Sequence, residues 1–217
     1  MTRIIIAGDL HGHLDLLYQK AQAHSPDYII QLGDFGAYPD PTKADSAAQK
    51  HGLPPDFPLY LSGQKNIPIN TYFIKGNHED VDFLDKKCGE IIPNLNYIPN
   101  GNIFTLDNIR FAALGGNYSQ QYFHATKLPQ NRRRHFTKIE LDRLKKQPFD
   151  ILLLHNGPYS ESLPEGCQEL TDFIEQTHPH LVYHGHHHHF YTTVINKTKV
   201  IGLAKIDGHQ QSIIIHE

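Results

Sequence analysis

At 217 residues, with 39% hydrophobic and 20% charged side chains, the chain can bury a substantial core and is too apolar to be disordered. A formal charge of −3 rules out a general electrostatic pull toward nucleic acid or anionic membrane, so a polyanionic substrate would be drawn by local basic residues or bound cations. Two cysteines, Cys88 and Cys167, in no Cys-x-x-Cys pattern indicate neither a disulfide framework nor a zinc knuckle, and fit a reducing, cytoplasmic compartment.

The run Ile4-Ile5-Ile6 is too short for a signal-peptide core or a membrane span. Ile4 to Ala7 reads instead as a strand buried on both faces. Leu14, Leu17, Tyr18 and Ala21 follow at helical spacing, and Tyr28 to Leu32 and Thr71 to Ile74 are the next strands. This order predicts a right-handed parallel crossover. Residues 37–63 hold five prolines and little periodicity, and read as a long loop or lid. Ile103 to Leu106 and Ile109 to Leu114 flank Asp107-Asn108 as a hairpin. Gly116 to Phe136 is polar, aromatic and basic, with no clear structure. Lys138 to Lys146 predicts a helix, Ile151 to Leu154 a strand, Gln168 to Gln176 a helix and Leu181 to Tyr183 a strand. Antiparallel strands are expected at the end: Tyr191 to Ile195, Lys199 to Leu203 and Ser212 to Ile215. With no repeat and no linker, residues 1–217 read as one domain, a mixed α/β sandwich.

Five short polar motifs stand at the ends of the apolar runs. They are Gly8-Asp9-Leu10-His11, Gly33-Asp34, Gly76-Asn77-His78-Glu79, His155-Asn156 and Gly185-His186-His187-His188. Carboxylate, amide and imidazole are donors that first-row divalent metals accept, and five strand ends could meet along one edge of a single sheet. Asp9 and His11, at i and i+2, point the same way on an extended segment, and the same spacing pairs His186 with His188. Gly33 lets the backbone turn Asp34 into the site, where its two oxygens could bridge two ions. Asn77 offers a neutral oxygen and His155 another imidazole. Singly, each motif has a bland reading: an aspartate after a strand commonly caps a turn or helix, and a lone histidine commonly makes a structural hydrogen bond. The joint order carries the metal reading. Among the remaining histidines of the 184–189 run, His184, His187 and His189 are expected to support the site or to lie exposed.

This ordered series resembles the calcineurin-like metallophosphoesterases, over the span Asp9 to His188. The resemblance implies a four-layer α/β/β/α fold and a hydrolase with two divalent ions (Mn, Fe, Ni or Zn, with Mn favoured in vitro). It implies that Asp9, His11, Asp34 and His188 hold the first ion, and Asp34, Asn77, His155 and His186 the second. Attack by a metal-bound water is then the expected chemistry. His78 would touch the scissile phosphate or protonate the leaving oxygen. In finer detail the chain is similar to RNA lariat debranching enzymes. Gly33-Asp34-Phe35, Tyr60-Leu61-Ser62-Gly63-Gln64-Lys65, Pro93-Asn94-Leu95-Asn96-Tyr97, Arg132-Arg133-Arg134-His135-Phe136 and Phe149 to His155 carry that likeness. Asp9 departs from it, standing where those enzymes typically carry cysteine. The chain also stops at Glu217 without their long C-terminal extension, and its segment from Gly116 to Arg134 is shorter.

The expected substrate is therefore a phosphoester, with RNA or a nucleotide diester first. Arg132, Arg133 and Arg134 are candidate phosphate contacts, and Tyr118, Tyr122 and Phe123 candidate base-stacking groups. The alternative is a phosphomonoesterase acting on a small-molecule or protein phosphate. Against its protein-phosphatase branch, the second motif continues to Ala37 and lacks the aspartate that orients the histidine there. A second alternative is a non-catalytic metal-binding scaffold, against which the complete donor set speaks.

Overall fold

The structure, a computed structural model, describes residues 2–50, 52, 54 and 56–217. Along the chain, β1 (Ile4–Ala7), β2 (Tyr28–Gln31), β3 (Asn70–Ile74), β4 (Gly89–Ile92) and β5 (Leu95–Ile98) enter one sheet. Then β6 (Asn102–Leu106), β7 (Ile109–Leu114), β8 (Ile151–Leu154), β9 (Leu181–His184), β10 (Tyr191–Ile195) and β11 (Thr198–Gly202) build a second, and β12 (Ile213–His216) returns to the first. The spatial orders are β12-β1-β2-β3-β5-β4 and β10-β11-β9-β8-β7-β6. Central strands are parallel in both sheets, and the outer pairs β1–β12, β4–β5, β6–β7 and β10–β11 are antiparallel.

Alternation along each strand explains why the strands read as unbroken apolar runs. Ile4, Ile6, Ile30, Leu32 and Ile74 turn inward and pack against Phe111, Ala113, Leu153, Tyr183, Ile201 and Leu203 of the second sheet. Their neighbours Ile5, Ala7 and Phe73 turn outward onto α1 (Leu14–Gln22) and α3 (Asp56–Leu61), meeting Leu14, Leu17, Phe57 and Tyr60. Ala112, Leu114, Leu152, Leu154 and Val182 likewise face α5 (Lys138–Leu144) and α6 (Gln168–Thr177). The result is the four-layer α/β/β/α arrangement. Emptying one fully buried position in the middle layer, as in Leu153→Ala, should cost about 2–5 kcal/mol.

The structure alters three local expectations. Residues 37–63 are not a plain loop: a 3₁₀ turn at Pro41–Lys43 leads to α2 (Ser46–Lys50) and α3. Tyr38, Ala44 and Ala48 pack together, while Phe57 and Tyr60 join the outer core. Helices of five and six residues are too short to show a 3.6-residue period. His51, Leu53 and Pro55 lie outside the described residues. β4, β5 and the short α4 (Val81–Leu84) are elements the reading lacked. The closing strands divide: β10 and β11 form the expected hairpin, but β11 also pairs in parallel with β9, and β12 joins β1 in the other sheet. The Asp107-Asn108 hairpin is as expected, both residues at positive φ as its tight turn requires. Among the described residues no helix is long and apolar enough to cross a membrane.

Candidate metal centre

The five motifs leave the C-terminal ends of strands from both sheets, a correction to the single sheet edge. Asp9, Asp34 and Asn77 follow β1, β2 and β3 of the first sheet, whereas His155 and His186 follow β8 and β9 of the second. Glycine is obligatory where these loops cross. A Cβ on Gly33, at φ +93°, would lie 2.5 Å from His155 Nδ1, and one on Gly76 would lie 2.0 Å from Asp34 Oδ1.

Asp9, His11, Asp34 and His188 each bring one donor atom within 4.8 Å of the others, and Asp34, His155 and His186 form a second such group. Asp34 belongs to both. In the first group His188 Nε2 stands 3.0 Å from His11 Nε2 and 2.9 Å from Asp9 Oδ2. Asp9 Oδ2 is buried yet accepts no aligned hydrogen bond among the described residues, so its nearness to His188 reflects convergence without hydrogen-bond alignment. In the second group the tautomer decides the reading. His155 donates Nδ1–H to the Leu32 carbonyl at 2.8 Å, which in the neutral imidazole leaves Nε2 the acceptor. That acceptor faces Asn77 Oδ1 at 3.1 Å and Asp34 Oδ1 at 3.5 Å. Three lone-pair donors meeting with no proton between them suit a cation, and separations of about 3–3.5 Å are those of donors roughly 2.0–2.2 Å from one ion. The donor set fits divalent metal on chemistry as well as spacing, being oxygen and nitrogen throughout.

His186 and His188 do not act as an extended i, i+2 pair, since His188 falls in the first group and His186 in the second. Both sit at left-handed φ, 70° and 58°, as do His11 at 46° and Asp34 at 52°. Such backbone costs an L-residue roughly 1–2 kcal/mol and collects where function over-determines the geometry.

Electrostatics and hydrogen bonds hold the groups in metal-ready states. Burial alone would raise Asp9, but His188, His155 and His11 keep its carboxyl far below the usual range. Burial, with His155 nearby, pushes His186 down to about 3, so it stays neutral with a lone pair to offer. His188 moves the other way: burial opposes the shift, but Asp9 and Asp34 raise it. Asp34 Oδ1 accepts the amides of Asn77 and His78, both at 2.8 Å. Asp9 Oδ1 accepts the amide of His186 at 2.9 Å.

Two residues without a role in the sequence analysis act here. Glu79, buried, accepts amides from Phe35 (2.7 Å), Gly36 (3.1 Å), Ala37 (2.7 Å) and Gly76 (3.3 Å). Burial and the Asp34 charge outweigh those amides and push its carboxyl up to about 8. Both oxygens accept backbone N–H groups. Glu79 thereby ties the Asp34 loop to the Asn77 loop. Asp45, N-terminal to α2, receives His78 Nδ1–H at 3.0 Å. No sequence spacing links these two residues; the only available signal was an aspartate placed to cap a short helix, and its Oδ1 does accept the Ala47 and Ala48 amides at 3.0 and 2.8 Å.

Beside the centre lies a cleft of about 700 Å³ lined by Lys43, Asp45, Asn77, Asp80, Arg132 and Arg134 among others. The three arginines separate. Arg132 and Arg134 line this cleft, whereas Arg133 does not and is paired with Asp82 and Asp85. Lys75, buried ahead of the third motif, donates to the Arg133 carbonyl at 2.6 Å and so fixes the arginine segment to the Asn77 loop. The stacking candidates are largely occupied: Phe123 is core, Tyr118 donates to Glu169, and Tyr122 lies between Arg132 and His135. His184, buried, donates to the Gly185 carbonyl and accepts from Tyr191. His187 accepts from the Gly157 amide and His189 donates to the His187 carbonyl. None of the three enters either donor group.

With this geometry in view, comparison with known proteins is informative. The profile of the calcineurin-like phosphoesterase family matches residues 2–190. The chain is 32% identical over 177 residues to the lariat debranching enzyme of Schizosaccharomyces pombe, covering 72% of this chain and 37% of that one. It is 30% identical over 182 residues to the lariat debranching enzyme of Homo sapiens, covering 73% and 33%. The chain thus spans about a third of the length of these relatives. Among solved structures, the protein TT1561 of Thermus thermophilus superposes with a TM-score of 0.67 at 16% identity, over 94% of this chain and 90% of that one. A putative 5′-nucleotidase of Staphylococcus aureus superposes with a TM-score of 0.55 at 15% identity, over 94% and 49%. At such identities these two establish likeness of fold.

Proposed function

The chain belongs to the calcineurin-like phosphoesterase family, and from that premise we propose that it is a phosphodiesterase requiring two divalent cations, acting on RNA or other nucleotide diesters. The observation that carries this reading is the pair of donor groups sharing Asp34, with His155 Nε2 aimed at two further acceptors. The debranching relatives make a 2′,5′-linked branch the first substrate to try.

In this reading Asp9, His11, Asp34 and His188 hold one cation, and Asp34, Asn77, His155 and His186 the other. Bound ions of this kind polarise phosphoryl oxygens and lower the pKa of water. Manganese is the first choice in vitro, with iron, nickel and zinc compatible with the same N/O donors. Asp34 Oδ1 faces His155 and Oδ2 faces His11, so one carboxylate serves both positions while two amides fix it. His78 stands beside the centre, its ring centroid 5.8 Å from that of His11, and meets Asp45 of the cleft lining. There it protonates the departing oxygen, a role worth roughly 10²–10⁴ in rate. Lys43, Arg132 and Arg134 offer positive charge to the phosphates flanking the scissile one, and Arg133, already paired, holds the segment that carries its neighbours.

The test is cleavage of a branched RNA oligonucleotide by metal-stripped protein reloaded with Mn²⁺. Selective loss of the 2′,5′ bond is expected. Unselective diester cleavage would remove the debranching assignment and keep the diesterase. Faster turnover of aryl monoesters than diesters would favour the monoesterase alternative, which gains from one observation: the aspartate missing at Ala37 has a counterpart, because Asp45 meets His78.

A further inference from the structure

Residues 37–50, which lie outside the five motifs, reach His78 through the carboxylate of Asp45. Asp45 Oδ2 and Oδ1 stand 3.0 and 3.1 Å from His78 Nδ1. The carboxylate is itself fixed, because Oδ1 accepts the Ala47 and Ala48 amides. The segment is anchored in turn: Ala44 and Ala48 are buried against Tyr38, and the Asp80 amide donates to the Ala37 carbonyl at 3.2 Å. Asp45 is therefore held from three directions and aimed at one imidazole nitrogen. His78 is fixed from the backbone side as well, through its amide on Asp34 Oδ1 at 2.8 Å.

We propose that Asp45 is the positioning residue for His78, setting its tautomer and ring orientation so that Nε2 addresses the leaving oxygen. The inference rests on the hydrolase reading above. With Nδ1–H given to Asp45, the second ring nitrogen is the one that handles the proton in flight. In the step itself water adds to phosphorus, and the bond to the leaving oxygen breaks with its electron pair. The proton on His78 Nε2 passes to that oxygen, and the proton shed by the attacking water restores His78. Asp45 stays charged throughout and stabilises the protonated ring, the part an orienting carboxylate plays beside a catalytic histidine. Nothing in the five motifs supplies this group. A limb of the fold with no ligand of its own thus controls the acid.

The experiment compares wild type with Asp45→Ala and Asp45→Asn on two diesters that differ only in leaving group, one an activated nitrophenol and one an alkyl alcohol. Metal content is measured on each protein. Asp45→Ala is expected to slow the alkyl diester by about 10–100-fold, a part of what a general acid contributes, and the nitrophenyl diester by less than about threefold. Asparagine, which keeps an acceptor for Nδ1–H, should recover part of the loss. A readout independent of turnover is the ¹⁵N shift pattern of the His78 ring in metal-free and Zn²⁺-loaded protein. It should report Nδ1 protonated in wild type and a redistributed tautomer in Asp45→Ala. Equal slowing of both diesters, slowing of neither, or an unchanged His78 tautomer would overturn the proposal. A metal-loaded wild type inert toward every phosphoester would instead overturn the hydrolase reading.

Discussion

The two sheets contribute different chemistry to the same rim. The first sends Asp9, Asp34 and Asn77, all oxygen donors, from loops whose amides are knotted together by Glu79 and by Asp34 itself. The second sends His155, His186 and His188, all nitrogen donors, with His155 held by the Leu32 carbonyl. Only His11 crosses this division. The oxygen half is a cross-linked frame, while the nitrogen half is a set of rings set against it. Neither half has enough donors for two ions, so packing between the sheets is the condition for the site.

The largest effect should come from the one residue that serves both groups. Asp34→Ala is expected to lower kcat by on the order of 10³-fold or more, since several kcal/mol of transition-state stabilisation depend on ions it would hold. Metal analysis should show fewer than two ions per chain. Retention of both would break the idea that one carboxylate joins the halves. The histidines sharpen it next. His186→Ala and His188→Ala should each weaken metal binding by more than about 100-fold, beyond the loss typical of groups that only support a ligand. In Mn²⁺-loaded protein the electron-spin signal of a coupled pair should give way to that of an isolated ion in both variants.

Glu79→Gln probes the frame. The new amide group would point a donor at backbone N–H groups that now share a carboxylate, costing about 1–3 kcal/mol by denaturant titration. Metal affinity should fall by about 10–100-fold. An unaltered affinity would mean that the oxygen donors need no such bracing.

The smallest effect is expected at the opposite end of the second sheet, where Asp150 at the start of β8 binds Arg110 of β7 at 2.6 Å. That bond, chiefly, brings Asp150 from its ordinary 3.8 down to about 2. A depressed carboxyl stabilises the fold above its unfolded pKa, and this contribution is lost as pH falls through the folded one. The Tm difference between wild type and Asp150→Asn should thus be present above pH 3.8 and vanish near pH 2. Both groups are partly exposed and solvent screens the pair, so the difference is small. Activity near neutrality should not change, which separates the rim from the far ends of the same strands.

Much of this was legible in the sequence, and the boundary has physical reasons. Buried parallel strands announce themselves as apolar runs, and a ligand just past a strand end is a local signal, so the five motifs could be placed. The division into two sheets could not, because Leu154 and Leu32 are equally apolar whichever sheet they enter. Asp45 was hidden for another reason. Its partner His78 lies 33 positions away, and the helix it begins is too short for periodicity to reveal. Glu79 was visible as a motif letter, but its work is done on backbone amides, which carry no sequence identity. The left-handed φ of His186 and His188 likewise defeated an argument built on extended spacing.

The pairing of Ile4 with His216 has a consequence for biosynthesis. β1, which launches Asp9 and His11, is flanked on one side by β2, an early neighbour, and on the other by β12. A nascent chain therefore leaves the ribosome with one edge of β1 exposed until residues 213–216 emerge, and His186 and His188 are themselves late arrivals. Contacts of such sequence separation form slowly, and an open strand edge invites mispairing meanwhile. The full donor set is thus absent until His188 has been made, and β1 keeps an open edge until residue 216 follows it.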